Sequence, residues 1–397
     1  MREAAQSPDT DTDAGTGTGT GTGAGTGTGA GTGAGTGADV AARDLAHMSR
    51  ALELAARGLY TTDPNPRVGC VVARDGAVLG EGWHQRAGEA HAEVLALRAA
   101  GPQARGATAY VTLEPCSHIG RTPPCADALI SAGIARVVCA GVDPNPRVAG
   151  GGIARLKAAG IAVSVDVLAA EARNLNAGFF SRFERGRPFV RLKLAMSLDP
   201  RTAPASGARA WITGEAARAD VQHWRARSGA ILTGAGTVRA DDPRLDVRLG
   251  YGSWVRQPLR VLLDPMLSCA TTAKLFHGDG ALVFAAVDAP MRSQDRVERL
   301  PRAAGGLDLH AVVARLAELE VNELLVECGP RLAAGFILSG LVDELVLYVA
   351  PALLGADAAP LMHVSGLGPP GSLPAFEFKD VQRIGADLRL ILTPKKS

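Results

Sequence analysis

The chain has 397 residues, room for two domains of ordinary size. Hydrophobic residues make up 47% of it and aromatics only 4%, so its cores must rest on Ala, Val and Leu. Lys plus Arg number 42 against 40 acids, and a net charge of +2 excludes a general electrostatic pull on nucleic acid or membrane, leaving any phosphate to local basic clusters.

From about Ala14 to Gly37 glycine alternates with Thr or Ala. Such a run cannot bury an apolar face, so residues 1–39 are expected to be a disordered leader. The opening Met-Arg-Glu-Ala-Ala-Gln-Ser-Pro-Asp has no apolar h-region, and no secretory signal is expected. No run approaches the roughly 18 apolar residues of a membrane span. The six cysteines are too sparse for a disulfide framework, and a reducing, cytoplasmic setting is expected.

Order is expected from Val40. Leu45, Met48, Leu52, Ala55 and Leu59 follow a helical spacing. Val68-Gly-Cys-Val-Val and Ala77-Val-Leu-Gly read as strands joined by an Asp75-Gly76 turn. A helix over His91–Ala100 stops at Gly101-Pro102, a strand covers Ala107–Leu113, a helix Pro124–Ala132 and a strand Arg136–Gly141. The basic, Gly/Pro-containing stretch Arg182–Pro188 marks a domain boundary, giving domains over 40–186 and 187–397. Beyond it, strands are predicted at Phe189–Ala195, Ala230–Thr233, Leu259–Leu263, Ala281–Val287, Glu323–Glu327 and Glu344–Val349. Helices are predicted at Glu215–Arg227, Leu309–Leu319 and Arg331–Leu338. Both halves therefore read as α/β.

The sharpest chemical signal is His91-Ala-Glu93 followed by Pro115-Cys116 and Pro124-Cys125. One His and two Cys suit a tetrahedral zinc ion, and three protein ligands leave the fourth position to water. Glu93, two residues from His91, can then act as proton shuttle, the arrangement of zinc deaminases. Cys125, and with it Cys116 and His91, are expected near helix starts, where the dipole favours thiolate. Cys70, Cys139, Cys269 and Cys328 lie in or beside apolar runs and read as core residues.

Eight residues, Ser-His-Ile-Gly-Arg-Thr-Pro-Pro, separate Cys116 from Cys125, unlike the common Cys-x-x-Cys; His118 and Arg121 among them can meet a phosphate. With Asp63-Pro-Asn-Pro-Arg-Val-Gly-Cys and Gly82-Trp-His-Gln-Arg-Ala-Gly, this stretch resembles the deaminase half of the bifunctional deaminase–reductases of bacterial riboflavin biosynthesis, over about Met48–Phe183. The resemblance implies a cytidine-deaminase-like α/β/α layered domain, with zinc on His91, Cys116 and Cys125, Glu93 as proton shuttle, and Asn65 and His84 on substrate. For His84 a surface residue at a strand end is the other reading.

The second half has no complete Gly-x-Gly-x-x-Gly after a strand. Two glycine turns stand out instead, Thr233-Gly-Ala-Gly-Thr and Glu327-Cys-Gly-Pro-Arg-Leu-Ala-Ala-Gly, and either can meet a phosphate or be a plain connection. Arg191-Leu-Lys-Leu-Ala-Met-Ser-Leu-Asp, Trp211-Ile-Thr, Thr237-Val-Arg-Ala-Asp-Asp-Pro and Glu327-Cys-Gly-Pro-Arg-Leu resemble the reductase half of the same family, from about Pro188 to Leu392. The implied fold is a dihydrofolate-reductase-like α/β domain. The implied NADPH contacts are Ala195, Trp211, Thr237, Asp241 and the run Gly329, Pro330, Arg331, Leu332, Ala333, Ala334 and Gly335. Arg225, Leu245 and Arg248 are expected on the ribose phosphate, with Glu327 also on substrate. Two positions depart from the family: Pro200 stands where Gly is usual, and Arg209 where a substrate-contacting Ser is common.

The expected activity is zinc-dependent deamination of a diaminopyrimidinone ribotide, then NADPH-dependent reduction of its ribose. An active deaminase joined to a reductase-like domain that only binds is the alternative. Deamination of another pyrimidine or of a tRNA adenosine is disfavoured by the insert and the second domain. A small-molecule substrate, no nucleic acid or membrane, and a homo-oligomer are the expected partners.

Overall fold

The computed structural model describes residues 37–117, 124–206, 210–248, 250, 255–291, 296–303, 305–364 and 374–395. The leader up to residue 36, His118, Arg121 and Arg209 lie outside them.

The first half is one sheet between two helical layers. In chain order it runs α1 (Gly37–Ala56), β1 (Gly69–Arg74), β2 (Ala77–Trp83), α2 (Ala92–Ala100), β3 (Thr108–Val111), α3 (Cys125–Ser131), β4 (Arg136–Cys139), α4 (Gly151–Ala158), β5 (Ala162–Ser164), α5 (Ala169–Leu175) and α6 (Ala177–Arg185). The strand order is β2-β1-β3-β4-β5, with β1 antiparallel to both neighbours and β3, β4 and β5 parallel. Alternation along β1 supplies both faces: Cys70 and Val72 pack with Ala92, Ala96 and Leu129, while Val71 and Ala73 pack with Met48, Ala51 and Leu54. Helix α1 starts at Gly37, three residues before the expected onset of order at Val40. The Asp75-Gly76 turn has positive φ at both residues (51° and 86°), as a two-residue hairpin requires.

The second half continues with β6 (Phe189–Met196), β7 (Arg201–Ala203), α7 (Glu215–Arg227), β8 (Ala230–Gly234), α8 (Ala235–Asp241), β9 (Leu259–Leu263), β10 (Leu282–Ala286), β11 (Val297–Leu300), β12 (Arg302–Ala303) and β13 (Gly306–Leu307). It ends with α9 (Leu309–Glu318), β14 (Glu323–Glu327), α10 (Pro330–Leu338), β15 (Glu344–Val349), β16 (Ala359–Pro360), β17 (Phe376–Ile384) and β18 (Asp387–Pro394). The main sheet is ordered β11-β10-β9-β8-β14-β6-β15-β18-β17. It is parallel from β11 to β15 and closes with an antiparallel hairpin. Leu324, Val326, Val190 and Leu192 face α9 and α10 in one core; Ile231, Leu325 and Val346 face α7 in the other.

The predicted strands all form, with β10 shorter at both ends than Ala281–Val287. Pro200 fits its loop: it lies outside the residues with positive φ, and its carbonyl accepts the Leu361 N–H at 3.0 Å. The Asp199 carboxylate fastens the same loop, accepting the N–H groups of Leu354 (3.0 Å) and Gly355 (2.7 Å). No helix among the described residues is long and apolar enough to cross a membrane.

Candidate active sites

His91 is the N-cap of α2 and Glu93 lies in its first turn, buried at 3% exposure. That placement depends on glycine: a Cβ on Gly82 would stand 2.5 Å from Ala92 O, so β2 can bring α2 this close only without a side chain there. Cys125 opens α3. Cys116 does not begin a helix, contrary to the sequence expectation; it sits in the irregular segment after β3. Its geometry is set instead by Glu114, whose carboxylate accepts four backbone N–H groups: Asp143 (3.2 Å), Gly150 (2.9 Å), Gly152 (2.9 Å) and Ile153 (3.1 Å). A Cβ on Gly152 would lie 1.8 Å from Pro115 O, so the start of α4 presses on the Pro115-Cys116 peptide.

His91 Nδ1 lies 3.1 Å from Cys125 Sγ and 3.7 Å from Cys116 Sγ, and all three ligand atoms fall within 4.8 Å of one another. Ligands about 2.0–2.3 Å from a common tetrahedral ion would be spaced in this way. Hydrogen bonding from Cys125, and next from His91, outweighs burial to pull the Cys116 thiol well below its ordinary range. Burial pushes the Glu93 carboxyl up. His84 is not a surface residue: it is 3% exposed, with its ring 5.4 Å from that of His91. Its Nδ1–H donates to Ala90 O (3.2 Å), leaving Nε2 to accept from Asn65 Nδ2 (3.0 Å). Cys70 and Cys139 are fully buried in the sheet and Cys269 is buried too, as expected of core residues, while Cys328 is half-buried beside the core.

In the second half the site residues collect at the C-terminal ends of neighbouring parallel strands, where α/β sheets bind their ligands. The two glycine turns meet there. Strands β8 and β14 are neighbours, and a Cβ on Gly329 would be 3.6 Å from Thr237 Oγ1. Gly329 caps α10 with no side chain, and Pro330 follows at its first position. Ala195 is the last residue but one of β6, while Asp241 closes α8. Ala333 and Ala334 point into the core, and Gly335 faces Leu309.

Glu327, at the end of β14, is gripped by Arg225 through Nε (2.6 Å) and Nη2 (3.1 Å). Lys193 Nζ stands 3.9 Å from the same carboxylate. Burial alone would raise the Glu327 pKa, but Arg225 and Lys193 outweigh it and bring it to about 2. Burial, reinforced by Arg225, lowers that of Lys193 despite Glu327. Trp211, Arg225, Asp242, Pro243, Arg244, Arg248 and Lys274 line an open cleft of about 260 Å³, in which Lys274 pairs with Asp242 (3.1 Å) and Arg248 with Asp246 (3.2 Å). Leu245, with φ 52°, is buried in the core beside Trp224, and the Arg248 N–H donates to Gln222 Oε1 (2.8 Å). Basic side chains around an open cleft suit phosphate, and the glycine-capped start of α10 suits a dinucleotide. Glu114 and Lys193 were not singled out in the sequence. The alternation Arg191-Leu-Lys193 within a strand, matched by Glu323 and Glu327 in the next, is the signal that could have found Lys193.

Fold and sites together define a two-domain enzyme, a zinc-dependent deaminase joined to a reductase. Residues 188–390 match the RibD C-terminal domain, and residues 41–141 match the cytidine and deoxycytidylate deaminase zinc-binding region. The riboflavin biosynthesis protein RibD of Escherichia coli (strain K12) is 49% identical, over 88% of this chain and 99% of its own. That of Haemophilus influenzae is 46% identical over 90% and 99%. The Acinetobacter baumannii RibD structure superposes with a TM-score of 0.84 at 44% identity, covering 90% of this chain and all of its own. The Thermotoga maritima diaminohydroxyphosphoribosylaminopyrimidine deaminase/5-amino-6-(5-phosphoribosylamino)uracil reductase gives 0.78 at 31%, with 90% and 100% covered. The chain belongs to the RibD family, the bifunctional deaminase–reductases of riboflavin biosynthesis, and its cofactors are zinc and NADPH.

Proposed function

We propose that the chain deaminates 2,5-diamino-6-ribosylamino-4(3H)-pyrimidinone 5′-phosphate and then reduces the ribose of the product to the ribityl chain. The observation that carries this reading is the His91, Cys116 and Cys125 cluster beside buried Glu93, in one chain with the cleft lined by Arg225, Arg244 and Arg248. The division of labour falls at residues 186 and 187, between α6 and β6.

His91, Cys116 and Cys125 hold zinc, which supplies a Lewis acid that makes water nucleophilic near neutral pH. Glu93 takes the proton from the attacking water and delivers it to the leaving amine. The new C–O bond replaces the C–N bond, and ammonia departs. Asn65 and His84, hydrogen-bonded to each other, border the pyrimidine. In the second half NADPH supplies the hydride for C1′. Its contacts are Ala195, Trp211, Thr237, Asp241 and the turn beginning at Gly329, while Arg225, Leu245 and Arg248 take the substrate phosphate. Opening the furanose needs a proton at the ring oxygen, and Lys193, held beside Glu327, is the ammonium suited to give it.

Two further readings follow. A cytoplasmic setting accords with this chemistry. A homodimer accords with edge strand β17, a nine-residue strand with Phe378 62% and Val381 58% exposed, whose outer edge pairs with no strand among the described residues and could be covered by a second copy. Light scattering on the wild type and on Val381→Lys tests the dimer. The function itself is tested by supplying the diaminopyrimidinone ribotide to zinc-loaded protein and following ammonia release and NADPH oxidation separately. Both signals are expected. Ammonia without NADPH oxidation would reduce the second half to a binding domain, and no ammonia would overturn the substrate assignment.

A further inference from the structure

The sequence Asp-Pro-Asn-Pro-Arg-Val occurs twice, at 63–68 and 143–148. The two copies fold differently. In the second, Asp143 Oδ1 accepts the Asn145 N–H at 2.8 Å and Asn145 Oδ1 accepts the Arg147 N–H at 3.1 Å, a turn closed by its own side chains. Arg147 is exposed. In the first copy the Asn65 N–H turns to Thr62 O (2.8 Å) and the Arg67 N–H to Asn176 Oδ1 (2.8 Å), and the Asp63 and Arg67 side chains reach the other half of the molecule. Asp63 Oδ1 accepts from Asn322 Nδ2 (3.0 Å), and the same amide donates to Pro64 O (2.8 Å). Asp63 Oδ2 accepts from Arg256 Nη1 at 2.6 Å. Arg67 is buried and reaches Glu323 Oε1 at 2.5 Å.

Identical local sequence with different local structure means that tertiary partners decide the shape of the turn. Asn176, which brackets the Arg67 backbone, belongs to the deaminase half, but the partners of Asp63 and Pro64, Arg256 and Asn322, belong to the reductase half, as does Glu323 on Arg67. Asn322 is buried and its Oδ1 has no hydrogen-bond partner, so the residue is held there for its donors. The turn they shape presents Asn65 to His84 Nε2, and His84 in turn is tied to Ala90 O, next to His91. A short path therefore leads from Asn322, just before β14, through its hydrogen bonds to Asp63 and Pro64 and along the backbone to Asn65, His84 and the edge of the deaminase site.

We infer that Asn322 and Arg256 are positioning residues for deamination: the reductase half holds the Asp63–Arg67 turn so that Asn65 stands ready at the pyrimidine. This rests on the deaminase site as read above. The full-length, zinc-loaded enzyme is the test, in wild type, Asn322→Ala, Arg256→Ala and Arg256→Lys forms. Arg256 is half-exposed, so its loss leaves the fold intact even if Asn322→Ala does not.

In both alanine variants the KM for the diaminopyrimidinone ribotide should rise about 5- to 10-fold, the size of one or two lost hydrogen bonds. Zinc content and the NADPH-dependent step on pre-formed deaminated intermediate should stay as in wild type. Hydrogen exchange of the Asn65 amide, which donates to Thr62 O at 2.8 Å, should quicken. Arg256→Lys, which keeps a cation beside Asp63, should restore both. An unchanged KM together with unchanged exchange at Asn65 overturns the coupling, as does an equal loss in the NADPH step. Failure of the site reading would show differently, as a wild type that releases no ammonia.

Discussion

Glu114 Oε1 accepts the N–H of Gly152 at 2.9 Å, and this contact ties the start of α4 to the segment that carries Cys116. A single carboxylate takes four amides here, so Glu114→Ala would strand buried donors. The expected cost is on the order of 3 kcal/mol of stability. Because Cys116 loses its support, zinc retained after dialysis against a weak chelator should fall about 10-fold or more, with the NADPH step spared. Metal analysis and denaturant unfolding of the variant check this. Full zinc retention would mean that Cys116 is placed by something else.

Glu93→Gln should keep its zinc, since the side chain is not one of the three clustered ligand atoms. Ammonia release should fall by about 10²–10⁴, the usual worth of a positioned general acid–base. Reduction of supplied intermediate should continue. A variant that released ammonia at the wild-type rate would remove Glu93 from the mechanism.

Glu327 gives a pH-dependent signature. Its folded pKa is depressed from 4.5 to about 2, so the stability it contributes is present above the unfolded value and is lost as pH falls through the folded one. That window runs from roughly pH 5 down to pH 2 and is worth about 3 kcal/mol. Glu327→Gln should therefore unfold in acid with a shallower dependence on pH than wild type across that range. Parallel acid-unfolding curves would show that the Arg225 pair does not hold the charge.

The loop at Pro200 supports a prediction of small effect. Pro200→Gly adds freedom chiefly to the unfolded chain, so it should destabilise by about 0.4–1 kcal/mol, a few degrees in Tm. The rate of NADPH oxidation should stay within about 3-fold, because Asp199 still fastens the loop through Leu354 and Gly355. A rate gain of an order of magnitude would mean that the proline holds the loop out of place.

How much of this was legible in the sequence follows from the range of the interactions. His91, Glu93, Cys116 and Cys125 could be read because their residue types and spacing carry the chemistry. The central strands could be read because burial on both faces leaves unbroken apolar runs. The support of Cys116 could not, since the amides that Glu114 gathers come from a segment up to 39 residues away, and only β4 brings them round. For His84 substrate contact and a strand-end surface position stayed open for a similar reason: a lone histidine after a strand says nothing of the α2 start that covers it. Helices α4, α5, α6 and α8 were missed as well; each has only seven to nine residues, too few for a periodic pattern to stand out.

Strand β14 has five residues, and both its ends are spoken for. Glu323 closes against Arg67, Arg191 and Arg227, while Glu327 closes against Arg225. Side chains alternate along a strand, so the two acids share a face and stand about 13 Å apart, four steps of roughly 3.3 Å. The strand thus acts as a gauge with fixed stops. Gaining or losing one residue would turn one carboxylate into the apolar layer under α9 and α10 whichever end stayed anchored. Evolution can vary the three residues between the stops, but not their number.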